Sequence, residues 1–135
     1  MKKTIVVLDD DDRRHVIFER IFKDRFSIVH CYSADQFIEV INKRGMPDFT
    51  FLDHDLSEES ILCNPKYANE LTGSDVAVWL ATKLLDEPDI FESKIIVHSM
   101  NPIGAENMMN ILKDAGYINV IKRPFFQISD YGKGL

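Results

Sequence analysis

The chain has 135 residues, enough for one domain with a proper core, and its 45% hydrophobic and 28% charged residues are an ordinary globular balance. Its net charge of −6 argues against an extended nucleic-acid surface, which needs clustered lysine and arginine. No apolar run approaches the roughly 20 residues of a membrane span, so a single domain over 1–135 without membrane contact is expected.

Met1-Lys2-Lys3 leads straight into an apolar run with no small-residue cleavage site, and Cys31 and Cys63 lack metal-ligand spacing. Both point to reduced thiols in a cytoplasmic protein. The first strand is read over Thr4–Leu8. A helix follows from Asp12 to about Phe26, with Val16, Ile17, Ile21 and Phe22 as its apolar face and Asp11 and Asp12 at the positive end of its dipole. Its Arg13, Arg14, Arg20, Lys23 and Arg25 read as a solvated basic face. Ile28–Tyr32 is a second strand, and Ser33 to Gln36 has the pattern of a capping box opening a helix that Gly45 closes.

The third strand, Asp48–Leu52, is a short apolar run that stops abruptly at Asp53, as a buried parallel strand does when it delivers a carboxylate to its C-terminal edge. From His54 to Gly73 the periodicity is weak and the segment is far longer than the about 2–6 residues of most βα connections. Within it, Ser57 to Thr72 reads as a mobile flap over the strand edge or as a plain insertion. A third helix runs from Ser74 to about Glu87, where Pro88 stops it. The fourth strand is Lys94–Val97. Asn101 and Pro102 then start a helix as cap and first position, and Gly116 ends it. Met108 and Met109 in this helix read as core gap-fillers. The fifth strand is Ile118–Ile121, and too few residues remain after Pro124 for a full last helix. Five βα steps joined by right-handed crossovers predict a doubly wound five-stranded parallel sheet, order 2-1-3-4-5, flavodoxin-like, with a stunted last helix.

Three strands end at one edge in chemistry-bearing residues: Asp9 and Asp10, then Asp53, His54 and Asp55, then His98, Ser99 and Asn101. Three nearby carboxylates repel one another, so a cation is called for and at least one pKa should be raised. Asp9, Asp10, Asp53 and Asp55 are the candidate metal ligands, and oxygen donors suit Mg2+ or Mn2+.

These residues resemble the receiver domains of two-component response regulators over nearly the whole chain. Asp9 and Asp10 match the acidic pair, Asp53 the phosphoacceptor, Ser99 the Ser/Thr after the fourth strand, and Arg123-Pro124, or Lys122, the Lys-Pro after the fifth. The long insertion, Ser57 in place of a common proline, Arg123 for lysine and the short C-terminus depart from that pattern. Asp53-His54-Asp55-Leu56 and His98-Ser99-Met100-Asn101-Pro102 are similar to a divergent group, the cyclic-phosphate-processing receiver domains. Opening a cyclic phosphate needs a base and an acid. Histidine titrates near neutrality, and His54 and His98 stand beside Asp53 and Ser99 in the sequence. These four are the candidate catalytic residues, with Ser99, Asn101, Lys122 and Arg123 expected to hold phosphate. The reaction implied is metal-assisted opening of a 2',3'-cyclic phosphate, on a phosphorylated small molecule or an RNA end. The rival readings are a phosphoacceptor receiver modified on Asp53 and a non-catalytic pseudo-receiver that binds a partner.

Alternation along a strand sets His98 and Ser99 on opposite faces, so His98 is also a candidate structural group. His15 and His30 have no partner motif and read as structural. Because little chain remains to cover the sheet beside the first helix, a homodimer through the first-helix and C-terminal face is expected.

Overall fold

The computed structural model describes residues 2–56 and 71–135, and Cys63 and the predicted flap from Ser57 to Thr72 lie outside them apart from Leu71 and Thr72. The strands are β1 (Lys3–Leu8), β2 (Phe26–Cys31), β3 (Phe49–Leu52), β4 (Lys94–Val97) and β5 (Val120–Lys122). All pair in parallel in the order β2-β1-β3-β4-β5, as expected from the crossover rule. Around them lie α1 (Asp12–Phe22), α2 (Ala34–Arg44), α3 (Gly73–Asp86), α4 (Pro102–Ala115) and α5 (Ile128–Lys133). No helix among the described residues is long and apolar enough to cross a membrane.

Because side chains alternate along each strand, the sheet has two separate cores. Val6, Leu8, Leu52, Ile95 and Val97 face α2, α3 and α4. Ile5, Val7, Phe49, Phe51 and Ile96 face α1 and α5. This parity carries into the residues just past each strand and decides which of them meet.

The first helix corrects the sequence reading in length and rotation. It ends at Phe22, not near Phe26, because Phe26 is buried as the first residue of β2. Its buried face is His15, Phe18 and Phe22, while Val16 and Ile17 are exposed. Arg14 therefore turns toward the sheet edge instead of joining a solvated basic face. The fifth strand also sits later than predicted, and Tyr117 before it is anchored in the core by its hydroxyl donating to Leu80 O at 2.7 Å. A short 3-10 turn, Pro88–Glu92, precedes β4 and was not expected.

The C-terminal segment is short but structured. A 3-10 turn (Phe125–Gln127) leads into α5, and Ile128 is fully buried while Tyr131 and Leu135 pack on the α1-side core. Gly132 lies where a Cβ would strike Ile21 and Phe22, so only glycine lets α5 approach α1 this closely. The sheet face for which a homodimer was expected is thus covered from within the chain, although Phe126 stays exposed.

Candidate functional site

Asp9, Asp53 and His98 each sit one residue past β1, β3 and β4, and all three continue the parity of the α1-side core. Backbone ladders extend to fix them: Asp53 N–H donates to Leu8 O and His98 N–H to Leu52 O, both at 3.0 Å. All three are buried, and their ligand atoms lie within 4.8 Å of one another. That acidic cluster could bind a metal ion.

Asp9 is nevertheless spent. Its Oδ1 accepts from Asp11 N–H at 2.8 Å and Arg14 Nη2 at 2.9 Å, and its Oδ2 faces Arg14 Nε and His98 Nε2, each at 2.8 Å. Four such partners use the about four lone-pair sites of a carboxylate. Burial raises its pKa, but the hydrogen bonds from His98 and Arg14 outweigh burial and hold it below the ordinary value. His98 lies edge-on to Phe18, with Phe51 and Phe125 around it, and its buried Nδ1 has no partner among the described residues. The ring proton accordingly belongs on Nε2, toward Asp9. A metal on Nε2 would force that proton onto the orphaned Nδ1, so His98 fits the role of a donor that orients Asp9 better than that of a ligand.

Among the described residues, the carboxylates left for a cation at this edge are Asp10 and Asp53. Burial, followed by the charges of Asp53 and Asp9, pushes Asp10 up to about 6. Burial and the charge of Asp9 push Asp53 up to about 6, with His98 and Arg14 relieving only part. Arg14 reaches both, with Nη2 at 3.4 Å from Asp53 Oδ2 and 3.6 Å from Asp10 Oδ1. Two carboxylates resisting ionisation at a strand edge, both oxygen donors, fit a hard divalent cation.

On the opposite face, α3 and α4 build a second cluster. His54 Nδ1 lies 2.8 Å from Asp55 Oδ1, and Asn101 Nδ2 donates to Asp55 Oδ1 at 3.2 Å. Asn101 also caps α4, its Oδ1 accepting from Gly104 N–H at 3.0 Å, while its own N–H donates to Ser99 Oγ at 3.1 Å. Ser99 is buried, and accepting from Asn101 leaves its hydroxyl proton for an incoming acceptor. His54 is held between two helix starts. A Cβ at Gly104 would strike its ring, and one at Gly73 would strike its backbone. Glycine in the first turn of two helices, where its propensity is poor, was the available sequence signal for this clamp.

The expected site residues thus divide. Asp9, Asp10, Asp53 and His98 come together on one side; His54, Asp55, Ser99 and Asn101 share the other. Asp55 faces His54 and Asn101, not the acidic cluster as a metal ligand would. Lys122 and Arg123, expected at the phosphate, turn elsewhere: Lys122 Nζ lies 3.7 Å from Glu106, and the Arg123 guanidinium lies 5.8 Å from the Tyr131 ring centre. The cation at the acids is Arg14, which sequence reasoning left on the surface.

Comparison with known proteins agrees with this architecture. The family model described as cyclic-phosphate processing receiver domain matches residues 4–114. No curated protein matches the chain. Among solved structures, a CheY-like response regulator receiver domain protein from Methanospirillum hungatei superposes with a TM-score of 0.63 at 15% identity, covering 99% of this chain and 96% of that one. The receiver domain of NtrX from Brucella abortus gives 0.58 at 18% identity, covering 95% and 96%. A response regulator from Burkholderia pseudomallei, solved with a phosphorylated aspartic acid, calcium ion and citrate, gives 0.60 at 15%, covering 91% of this chain and 61% of that one. At these identities the likeness concerns the fold.

Proposed function

We propose a function from this premise: the chain belongs to the cyclic-phosphate processing receiver domain family, whose model spans most of it. Its strand-edge pocket hydrolyses a cyclic phosphate, of which a 2',3'-cyclic phosphate end on RNA or on a nucleotide is the leading form. The observation that carries this reading is the His54–Asp55 pair. Asp55 holds Nδ1 of the ring at 2.8 Å, while Nε2 has no partner among the described residues. An imidazole fixed by a carboxylate and open at its other nitrogen is equipped to move a proton.

Asp10 and Asp53 would hold Mg2+ or Mn2+, which when bound supplies positive charge to the phosphoryl oxygens. Arg14, beside Asp53, neutralises a further oxygen, and the Ser99 hydroxyl donates to another. His54 Nε2 takes a proton from water as the water oxygen bonds to phosphorus. One ring P–O bond breaks, and the departing sugar oxygen receives a proton from His54, leaving a phosphomonoester. The test is phosphomonoester release from a 2',3'-cyclic nucleotide and from an RNA with a cyclic end, with Mg2+ or Mn2+ present. Wild type should turn over, and His54→Gln should lose roughly 10²–10⁴-fold. No release from any such substrate, or an unimpaired His54→Gln, would sink the reading.

One observation favours a second reading. Arg14 Nη2 stands 3.4 Å from Asp53 Oδ2, a cation beside the carboxylate that a phosphoacceptor would offer. The Burkholderia response regulator carries a phosphorylated aspartic acid. A stable mass gain on Asp53 after incubation with acetyl phosphate, without cyclic-phosphate turnover, would select it.

A further inference from the structure

Outside the strand-edge pocket, His15 on α1 and His30 on the edge strand β2 meet with their Nδ1 atoms 2.6 Å apart. The outer nitrogens are committed. His15 Nε2 lies 2.7 Å from Asp9 O, and a carbonyl only accepts, so Nε2 carries the hydrogen. His30 Nε2 lies 2.7 Å from Glu19 Oε2, and an ionised carboxylate likewise only accepts. Both Nδ1 atoms then turn lone pairs toward each other, which is tolerable only with a cation between them.

We propose that His15 and His30 form a second metal site, separate from the acidic pocket, for a borderline divalent ion of the Zn2+, Ni2+ or Cu2+ class. Imidazole nitrogen suits these ions and not Mg2+. The surroundings match what metal-binding histidines require. Each ring hands its other N–H to an oxygen acceptor, one a backbone carbonyl and one a carboxylate, fixing the tautomer that aims Nδ1 at the ion. A cleft of about 260 Å³ lined by Asp12, Glu19 and Tyr32 as well as both histidines leaves room for water to complete the coordination. Tetrahedral Zn–N bonds need the two nitrogens roughly 3.3 Å apart, a small widening from the observed contact. His15 is buried, but His30 keeps a quarter of its side chain exposed on an edge strand and can give way.

The rival occupant is a shared proton, and metal uptake by the full chain decides. Calorimetric Zn2+ titration is run on wild type, Asp53→Asn, His30→Gln and Glu19→Gln, each checked for fold by circular dichroism. Asp53→Asn should keep a zinc equivalent, because His15 and His30 do not touch Asp53. His30→Gln should lose that equivalent. Glu19→Gln, altering a half-exposed acceptor, should weaken it about 10-fold or more. With Cu2+, electron paramagnetic resonance should show coupling to two imidazole nitrogens in wild type and not in His30→Gln. Zinc binding that survives His30→Gln unchanged, or vanishes in Asp53→Asn, would overturn the site; so would no uptake at all, leaving the proton as occupant.

Discussion

Two histidines at this strand edge each meet a carboxylate at 2.8 Å, yet they differ in kind. His98 is 1% exposed, packed among phenylalanines with one nitrogen lacking a partner among the described residues. Its partner Asp9 is saturated by Arg14, His98 and a backbone N–H. His54 keeps 18% of its side chain exposed, and its partner Asp55 keeps 39%. In the first pair the carboxylate is saturated and the free nitrogen of the ring is sealed among phenylalanines, so the pair organises charge. The second has a nitrogen without a partner among the described residues and keeps solvent exposure, so it is equipped to exchange protons. On the proposed function the same two residue types thus serve structure on one sheet face and chemistry on the other, and burial sets which.

Removing the two imidazoles tests this division most severely. His98→Ala leaves a buried carboxylate–guanidinium system missing a donor and opens a void beside Phe18, so a loss of about 3–5 kcal/mol is expected in urea unfolding. His54→Ala removes a partly solvated pair and should cost only about 1 kcal/mol or less, while abolishing turnover. Equal stability losses for the two variants would erase the distinction.

Much of this was legible in the sequence because it follows from period two. Asp9 and Asp53 ended apolar runs that could only be central strands, and alternation alone set His98 apart from Ser99. What alternation could not supply was the identity of the layer His98 enters, which proved to be the layer of Asp9 and Asp53. Arg14 was missed for a different reason. The β-branched Val16 and Ile17 suggested an apolar stripe, but the strand-facing positions are His15, Phe18 and Phe22, with Arg14 beside them. A helix face rotated by one residue moved a cation from the site to the solvent. The His15–His30 contact joins a helix to an edge strand across distant sequence, and no local pattern encodes it.

The acidic pair on the His98 side gives the next largest effect. Asp10 and Asp53, each pushed up to about 6, are protonated in the fold at pH values where the unfolded chain has ionised them. The folded state therefore binds more protons between about pH 4 and 6. In the metal-free protein stability should fall as pH rises through that window, and Asp53→Asn should flatten the decline. Metal binding needs the ionised form, so the Mg2+-induced rise in melting temperature should grow from pH 5 to about 7.5 and disappear in Asp53→Asn. A rise that is independent of pH, or retained in the variant, would detach the cation from this pair.

A smaller effect is expected at the clamp around His54. Gly104→Ala puts a methyl group against the ring, and relief requires the ring to leave Asp55. Such overpacking costs about 1–3 kcal/mol. Turnover should drop with it, and hydrolysis left intact would show that the Asp55 contact does not aim the imidazole.

The smallest effect separates Arg14 from the two C-terminal cations. Lys122 is 42% exposed in its side chain and meets Glu106 only at 3.7 Å, a solvated pairing that water and salt screen. Arg14 instead lies beside the pocket acids, in a bidentate contact with Asp9. Lys122→Ala should therefore change stability by no more than about 0.5 kcal/mol and leave phosphate-analogue binding within about twofold. Arg14→Lys should weaken that binding, because a point-charge ammonium cannot reproduce the planar fork that spans Asp9 and Asp53. If beryllofluoride binding, followed by amide shifts, depends on Lys122 and tolerates Arg14→Lys, then Lys122 swings into the pocket on ligation, and the charge assigned here to the first helix belongs after the fifth strand.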